Sequence, residues 1–405
     1  TAALIRTPAV VLSVVTGLTS LALARRIFRD NRAGLAVTVL SAAVPMFVIG
    51  ALLLTIDSPM YCCWALATYC FWRFVEPSST AVQTKRLGWL YLTAILVGLG
   101  ILFKPVLLAW PFCAAIGAGL SPGIRQRLKT PHVWGALLVV LLMQLPIVLW
   151  NANHHWVTFR HISTQGGLTV GDTGDGESGG AGQNWIKPVS RLGEFLGGQI
   201  GGMGGIMFVL LALAAINTWR RSRQARTKEA DGWKEDSRLM GKRFLLSFAL
   251  PLWFFYAGLS FITKVQPNWP AASYFAGMIL LAGVVAEEWG SNRALRITIR
   301  IAVVWGLILA SLAQHTEWFY PLAKSKMDQA SDPLSSRWNP KRWDPTFKQL
   351  RAKAEYAQAV EQARLAMAAA GGLAGEPVTA GEIMVATTRY DTSAALAFYL
   401  PEQPF

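Results

Sequence analysis

The chain has 405 residues, of which 53% are hydrophobic and only 15% charged, and its mean hydropathy is +0.36. A soluble domain carries about 25% charged residues, so this composition excludes an ordinary soluble globule, while 11% aromatic residues and four cysteines exclude a disordered chain and a disulfide scaffold. The net charge of +15 would point to nucleic acid in a soluble protein, so its position along the chain decides its meaning.

Ten stretches without charged residues follow one another along the first three quarters of the chain. They are residues 8–24, 33–56, 58–72, 87–103, 105–124, 130–153, 195–219, 244–263, 265–286 and 301–316. Crossing about 30 Å of hydrocarbon takes about 20 residues of helix, and only a helix satisfies its own backbone there. The pattern predicts an α-helical polytopic membrane protein of about ten spans. Ten buried core helices of a large soluble protein are the alternative, but the amphipathic surface helices that such a protein needs are scarce.

Basic residues mark every second loop between these stretches. The marked loops hold 22 Lys and Arg, and the other loops hold six. Because basic loops stay on the cytoplasmic side, we expect residues 55–59, 103–105 and 151–195 and the tail to lie on the external side of the membrane. The tail at 317–405 has ten basic and ten acidic residues. The net charge therefore belongs to the membrane module at 1–316, and no nucleic-acid partner is predicted.

The tail is predicted to be a partial periplasmic α/β domain. Asp344 and Pro345 favour the start of a helix that ends near residue 370. Residues 382–388 favour a strand, and Asp391 begins a helix through Tyr399. The chain starts without Met or signal peptide and stops where another strand is due, so we expect a piece of a longer protein that lacks at least one preceding span.

Ionisable residues gather at the predicted external ends of the spans, where they are candidates for function. Asp57, Lys104 and Lys264 lie in tight turns, and a helix is predicted at 186–198, after the Gly-rich middle of the 151–195 loop. The start of this loop adds His154, His155, Arg160 and His161. The cations suit a phosphate or pyrophosphate, and the carboxylate suits a base, a sugar-hydroxyl partner or a metal ligand.

Each candidate has a purely structural alternative. Asp57 precedes Ser58 and Pro59 and so could cap the next helix. Lys104 and Lys264 could be membrane anchors whose ammonium groups reach the interface, and tryptophans such as Trp269 are common in the interfacial belt. The loop histidines leave a divalent metal cofactor open, but their spacing is loose and no acidic residue is near, so no metal ligand is assigned.

Five short strings resemble, in order, the motifs of one family. Residues 55–59 (TIDSP) resemble its second acidic turn, TPDxP, and residues 98–105 (GLGILFKP) resemble its GLxxLxKxP turn. Residues 146–161 are similar to its WNxxHxWxxFxH loop, 266–271 (QPNWPA) to its xHWPAP turn, and 397–401 (AFYLP) to the FYLP string of its tail. Together they resemble the polyprenol-phosphate-sugar glycosyltransferases of the C superfamily, which include protein O-mannosyltransferases and the aminoarabinose transferase of lipid A.

The resemblance implies transfer of a sugar from a polyprenyl-phosphate donor, with undecaprenyl phosphate as the expected carrier. It places the reaction at the periplasmic face of a bacterial inner membrane, with inversion at the anomeric carbon. Family members carry a catalytic Asp in the first external loop, which we expect to precede residue 1. Asp57 then matches the second acidic position and Lys104 a position for the carrier phosphate, with Asn268 and Trp269 in a substrate-binding turn. Asn268 departs from a frequent His, and Pro105 follows Lys104 where the family often has Gly.

Other functions and the acceptor stay open. A multi-span transporter or lipid flippase would carry polar residues at mid-membrane and an internal repeat, neither of which is evident. A polymerase or ligase of lipid-linked glycans would share the donor class, and a non-catalytic scaffold is the third possibility. For the acceptor, lipid A, another envelope glycan and protein all stay open.

Overall fold

The computed structural model describes residues 2–77, 83–165, 186–230, 235–328 and 352–370, with a few isolated positions between 379 and 400. It divides into two compact units, Thr1–Ala310 and Ser311–Phe405. All regular secondary structure in the described residues is helical. The predicted division at 316/317 and the predicted α/β character of the tail stay predictions.

The helices follow one another with short connections. The first eight are α1 (Ala2–Phe28), α2 (Asn31–Ala42), α3 (Pro45–Gly50), α4 (Asp57–Val75), α5 (Gln83–Phe103), α6 (Ala109–Leu120), α7 (Pro122–Leu128) and α8 (His132–Met143). The next eight are α9 (Leu145–Asn153), α10 (Val157–Gln165), α11 (Ile186–Met203), α12 (Ile206–Ala230), α13 (Ser237–Ala249), α14 (Pro251–Leu259), α15 (Ala271–Glu288) and α16 (Arg293–Gln314). Then come α17 (Tyr320–Asp328) and α18 (Ala352–Ala369).

Five stretches in the described residues are long and apolar enough to cross a membrane by length and composition. They are Arg6–Phe28, Arg86–Phe103, His132–Asn153, Ala271–Glu288 and Arg293–Gln314. A sixth is formed if α11 and α12, which meet at 102°, are counted together. The ten predicted stretches are all largely helical, but several consist of shorter helices joined at breaks. The count of ten spans therefore stays a prediction.

The breaks in the apolar stretches have local causes. Pro45 and Pro251 begin α3 and α14, where proline cannot continue the preceding helix. The bend between α11 and α12 falls at Gly204 and Gly205, whose φ angles of 82° and 67° are accessible mainly to glycine. These breaks shape the helices without placing a charge inside an apolar stretch.

Helix α15 is the centre of the first unit. Of the residues in its membrane-length apolar stretch, 78% are buried inside the protein, compared with 6% for the stretch that covers α8 and α9. Small residues permit this closeness, because a Cβ at Gly283 would overlap the ring of Phe28. Apolar side chains such as Leu138 and Leu141 point outward from α8, as expected of a surface that faces lipid. The buried position of α15 fixes the turn that precedes it, residues 264–270.

The tail is described only in part. Helix α18 lies within the helix predicted to end near residue 370, and Ala357 of this helix packs with Leu396 and Leu400 in a small apolar cluster. Residues 396, 397 and 399 are helical, as predicted. Of the predicted strand only residues 383 and 385 are described, and neither lies in a strand.

Candidate active site

The structure brings three of the predicted site residues into direct contact. The ammonium Nζ of Lys104 donates to Asp57 Oδ1 at 2.5 Å, and the amide Nδ2 of Asn268 donates to Asp57 Oδ2 at 3.0 Å. These residues are 47 and 211 positions from Asp57 in the sequence. We call this group the Asp57 cluster. The turns that carry these three residues therefore meet in the fold, while the membrane face on which they lie and the chemical role of each residue stay proposals.

Asp57 is the first residue of α4, and it is not the cap of that helix. Ile56 occupies the N-cap position, and no side chain there accepts a hydrogen bond from the helix. The capping alternative for Asp57 is therefore wrong. Its carboxylate oxygens instead accept hydrogen bonds from Lys104 and Asn268, and a longer one from the hydroxyl of Thr55 at 3.5 Å. A negative charge in the first turn of a helix is also favoured by the helix dipole.

Lys104 lies between α5 and a short 3-10 turn, Pro105–Leu108. Its backbone is extended, with φ −153° and ψ 126°, since the following proline disfavours helical geometry. This break turns the side chain toward Asp57 instead of leaving it as a membrane anchor. The side chains of Lys104 and Asp57 are only 18% and 16% exposed, so water is partly excluded from the pair.

Asn268 is held by a buried chain of hydrogen bonds beneath its turn. Gln199, which is completely buried in α11, donates to the carbonyl of Pro267 at 3.1 Å. Gln199 Oε1 accepts from the hydroxyl of Tyr274 at 2.7 Å, and that hydroxyl accepts from the indole of Trp253 at 3.1 Å. A polar side chain in an apolar helix is stable only when paired. The chain therefore positions the turn that carries Asn268.

Tyr61 connects this turn to α4 directly. Tyr61 lies one helical turn after Asp57 in α4, and its hydroxyl donates to the backbone carbonyl of Asn268 at 2.8 Å. Sequence reasoning missed both Tyr61 and Gln199. Tyr61 could have been found because it lies four residues after Asp57 and so on the same helix face. Gln199 could have been found because it is a polar amide within an apolar stretch.

Two further predicted residues belong to the same turn but not to the contact network. Lys264 is exposed and makes no ion pair with any residue that the structure describes. Trp269 is half-buried, with its ring centroid 5.6 Å from that of Tyr256. The exposed ammonium of Lys264 is free to meet a ligand from solution, whereas Trp269 helps to pack the turn.

The start of the 151–195 loop is more ordered than predicted. Asn151 is buried, its carbonyl accepts from the backbone N–H groups of His154 and Trp156, and its side-chain oxygen accepts from the backbone N–H of Thr158 at 3.0 Å. These bonds close a tight turn from which α10 starts. Helix α10 was not predicted, whereas the helix predicted at 186–198 is present and extends to Met203. Residues 166–185 lie outside the described residues.

The loop histidines stand on this turn. His154 donates through Nδ1 to the carbonyl of Trp150 at 2.6 Å, and their rings stack at 4.2 Å. His155 and Trp156 adopt left-handed φ angles of 53° and 56°, which are uncommon for such residues. The turn thus exposes the imidazole of His155 to solvent.

The loop cations are not joined to the Asp57 cluster in this structure. Arg160 and His161 are exposed on α10, and His154, His155 and Arg160 make no hydrogen bond or ion pair with Asp57, Lys104 or Asn268 among the described residues. Within those residues, no group of three His, Cys, Asp or Glu side chains is arranged to hold a metal ion.

The Asp57 cluster brings together one ammonium, one carboxylate and one amide, and water is partly excluded from the ammonium and the carboxylate. Lys104 and Asn268 lie at the ends of two helices of membrane length, α5 and α15. An ammonium in this position suits an anion carried on a lipid, because Coulomb attraction is stronger where water is partly excluded.

Comparisons with known proteins agree with the motifs. Residues 1–150 match the family described as dolichyl-phosphate-mannose-protein mannosyltransferase, and no curated protein matches the chain. The fold is similar to that of ArnT from Cupriavidus metallidurans bound to undecaprenyl phosphate, with a TM-score of 0.50 and 15% identity over 97% of this chain and 70% of that one. The structure of the same ArnT in the apo state aligns with a TM-score of 0.47 and 18% sequence identity over 90% of this chain.

The chain spans 56% of the apo ArnT chain. At sequence identities this low, the structural similarity supports the fold alone. The family match is based on the sequence of the first 150 residues, which contain Asp57 and Lys104. The family match therefore confirms the resemblance of the motifs to the polyprenyl-phosphate-sugar glycosyltransferases of the C superfamily, and the fold of undecaprenyl-phosphate-bound ArnT is consistent with it.

Proposed function

We propose that this chain forms the membrane module of an enzyme that transfers a sugar from a polyprenyl phosphate, undecaprenyl phosphate in a bacterium, to an envelope acceptor. The observation that carries the proposal is the contact of Asp57 with both Lys104 and Asn268 at the ends of membrane-length helices. The similar fold of a protein solved with undecaprenyl phosphate supports the choice of carrier.

In this proposal Lys104 receives the carrier phosphate. The bond between the anomeric carbon and the phosphate oxygen breaks, and the acceptor hydroxyl oxygen bonds to that carbon with inversion. The polyprenyl phosphate leaves with one more negative charge than it carried in the donor. A fixed cation at that oxygen stabilises the developing charge, which is a large term in such reactions. Lys264 adds a second cation that is free to approach the donor.

We assign Asp57 an orienting role in the same reaction. Its two oxygens already accept hydrogen bonds from Lys104 and Asn268, so it holds the ammonium in place before the donor arrives. A separate carboxylate would take the proton of the acceptor hydroxyl. The phosphate and Asp57 then compete for Lys104, and the competition sets how tightly the product is retained.

The substrate-side residues complete the site. His154, His155, Arg160 and His161 at the start of the 151–195 loop would contact the donor when the loop closes over it, which would exclude water and limit hydrolysis. Asn268 and Trp269 would contact the sugar. About ten spans, a periplasmic face for this site and a tail with α/β character complete the proposed arrangement, and lipid A, another glycan or protein is the acceptor.

The test is sugar transfer in membranes that contain the protein in its natural full length. A radiolabelled sugar on undecaprenyl phosphate is supplied, and label in the envelope fraction and free undecaprenyl phosphate are both measured. The proposal expects both products, with loss of both in Lys104→Met. Movement of intact donor across the membrane without release of undecaprenyl phosphate would refute sugar transfer and favour the transporter.

A further inference from the structure

A second cluster of charge lies at the opposite end of α4 from the Asp57 cluster. Asp57 begins this helix, and Glu76 follows its last residue, Val75. At 1.5 Å per residue the helix is about 27 Å long, close to the thickness of a bilayer core. In the predicted topology, in which residues 58–72 of α4 form one of the ten spans, the two clusters lie near opposite membrane surfaces, with Glu76 at the surface that carries the basic loops.

A cavity of about 330 Å³ opens at this second position. Its lining includes three arginines and one carboxylate. We call it the arginine pocket, and its polar lining is Arg25, Arg26, Arg29, Glu76 and Ser237. Trp72 and Ile27 supply apolar wall. A cavity of this size is at the lower end of the range for ligand sites.

The carboxylate of the pocket is already engaged. Arg26 forms two hydrogen bonds with Glu76, at 2.6 and 2.7 Å, and Arg73 adds another at 3.1 Å. Arg25 and Arg29 make no ion pair with any residue that the structure describes. The pocket therefore holds more positive charge than its own carboxylate balances.

Arg29, which lines the arginine pocket, has an unusual backbone conformation. It directly follows the last residue of α1 with a φ of 51°, in the left-handed region that glycine usually fills after a helix. A long cationic side chain at such a position signals a use for the side chain, because the backbone alone would favour glycine. The end of α1 also favours cations through the helix dipole.

We propose that the arginine pocket binds the phosphate of an anionic lipid headgroup at the membrane surface opposite the candidate active site. Guanidinium groups pair with phosphate oxygens through two parallel hydrogen bonds. Basic pockets among membrane-spanning helices recognise lipid headgroups in this way. The apolar wall of Trp72 and Ile27 suits the glycerol and first acyl carbons. A soluble diphosphate shares the phosphate chemistry, and this inference does not depend on sugar transfer.

The test compares Arg29→Gly with Arg127→Gln. Both remove one exposed arginine from the basic surface, but Arg127 lies in α7 and does not line the pocket. Glycine is well suited to the backbone of position 29, so the thermal midpoint should not fall, and any loss of binding is separated from misfolding. Phosphatidylglycerol retained by the detergent-purified protein is counted by native mass spectrometry, and pyrophosphate is titrated in a second arm.

The proposal expects retained phosphatidylglycerol in the natural protein, about tenfold weaker retention in Arg29→Gly, and unchanged retention in Arg127→Gln. Displacement of the lipid by millimolar pyrophosphate would support the same phosphate site with a soluble ligand as its natural occupant. Equal losses in the two variants would show that only the overall charge matters and would overturn the proposal. Absence of binding in both arms would also overturn it.

Discussion

Removing either partner of the Lys104–Asp57 pair should change carrier binding in opposite directions. Lys104→Met deletes the cation that we assign to the phosphate, so the affinity for undecaprenyl phosphate should fall. Asp57→Asn deletes the carboxylate that competes with the phosphate for Lys104, so the affinity should rise. A scaffold in which the pair only holds two helices together would lose affinity in both variants.

The magnitudes follow from the geometry of the pair. A hydrogen bond to a charged group is worth about 1.5–3 kcal/mol, so Lys104→Met should weaken binding roughly 10- to 100-fold. The side chains of the pair are 18% and 16% exposed. We take the pair to be worth about 0.5–1 kcal/mol after solvent screening, so Asp57→Asn should tighten binding roughly two- to fivefold.

The assay is a titration of the purified protein with undecaprenyl phosphate, followed by native mass spectrometry. Lys242→Met is the matched control, because Lys242 forms a similar ion pair with Glu287 at 2.6 Å, with side chains 15% and 25% exposed. Its affinity should stay within about twofold of the natural protein. Weaker binding in Asp57→Asn, or equal losses in Lys104→Met and Lys242→Met, would refute the competition.

Three further predictions concern the support of the site and the core. Gln199→Leu leaves the hydroxyl of Tyr274 without its acceptor and the carbonyl of Pro267 without its side-chain donor, and it should lower the free energy of unfolding by about 1–3 kcal/mol in a denaturant titration; an unchanged midpoint would show that this buried chain of hydrogen bonds is not needed. Arg243→Met removes the cation from the buried pair with Glu235, whose carboxylate keeps, among the described residues, only its hydrogen bonds from Ser121 and the backbone of Gly123, and should lower the free energy of unfolding by about 3–5 kcal/mol. Arg221→Met, from an exposed pair at 3.6 Å, should lower it by less than about 1 kcal/mol, and similar losses in the two variants would contradict a role for burial. Gly306→Ala places a Cβ against the carbonyl of Ala43 and should lower the thermal midpoint, whereas Gly17→Ala meets no atom within 4 Å and should not; equal midpoints would mean that α2 and α16 separate freely.

The convergence of Asp57, Lys104 and Asn268 could be predicted from the sequence. Each lies in a short turn between apolar stretches, and the alternation of basic loops assigns all three turns to one face. In a short turn the side chains must lie close to the ends of the two helices that the turn connects. Sequence alone could not give the pairing itself, because the distance between α4, α5 and α15 depends on how the helices pack.

The breaks in the helices were beyond the sequence reasoning. Hydropathy averages over about 19 residues, so the stretch at 33–56 reads as one span although it divides into α2 and α3 at Pro45. Proline and glycine are tolerated inside membrane helices, and their presence does not say which of them breaks the chain. Gln199 was missed for a related reason: a single amide in an apolar stretch gives no clue to its partner.

Sugar transfer at the Asp57 cluster is tested most directly by the discharge of a purified undecaprenyl-phosphate-linked sugar by membranes that contain the natural protein or its variants. We predict release of undecaprenyl phosphate together with appearance of the sugar on an envelope acceptor. Both products should be lost in Lys104→Met and retained in Lys242→Met. Discharge that persists unchanged in Lys104→Met would contradict the assignment of the carrier phosphate to the Asp57 cluster.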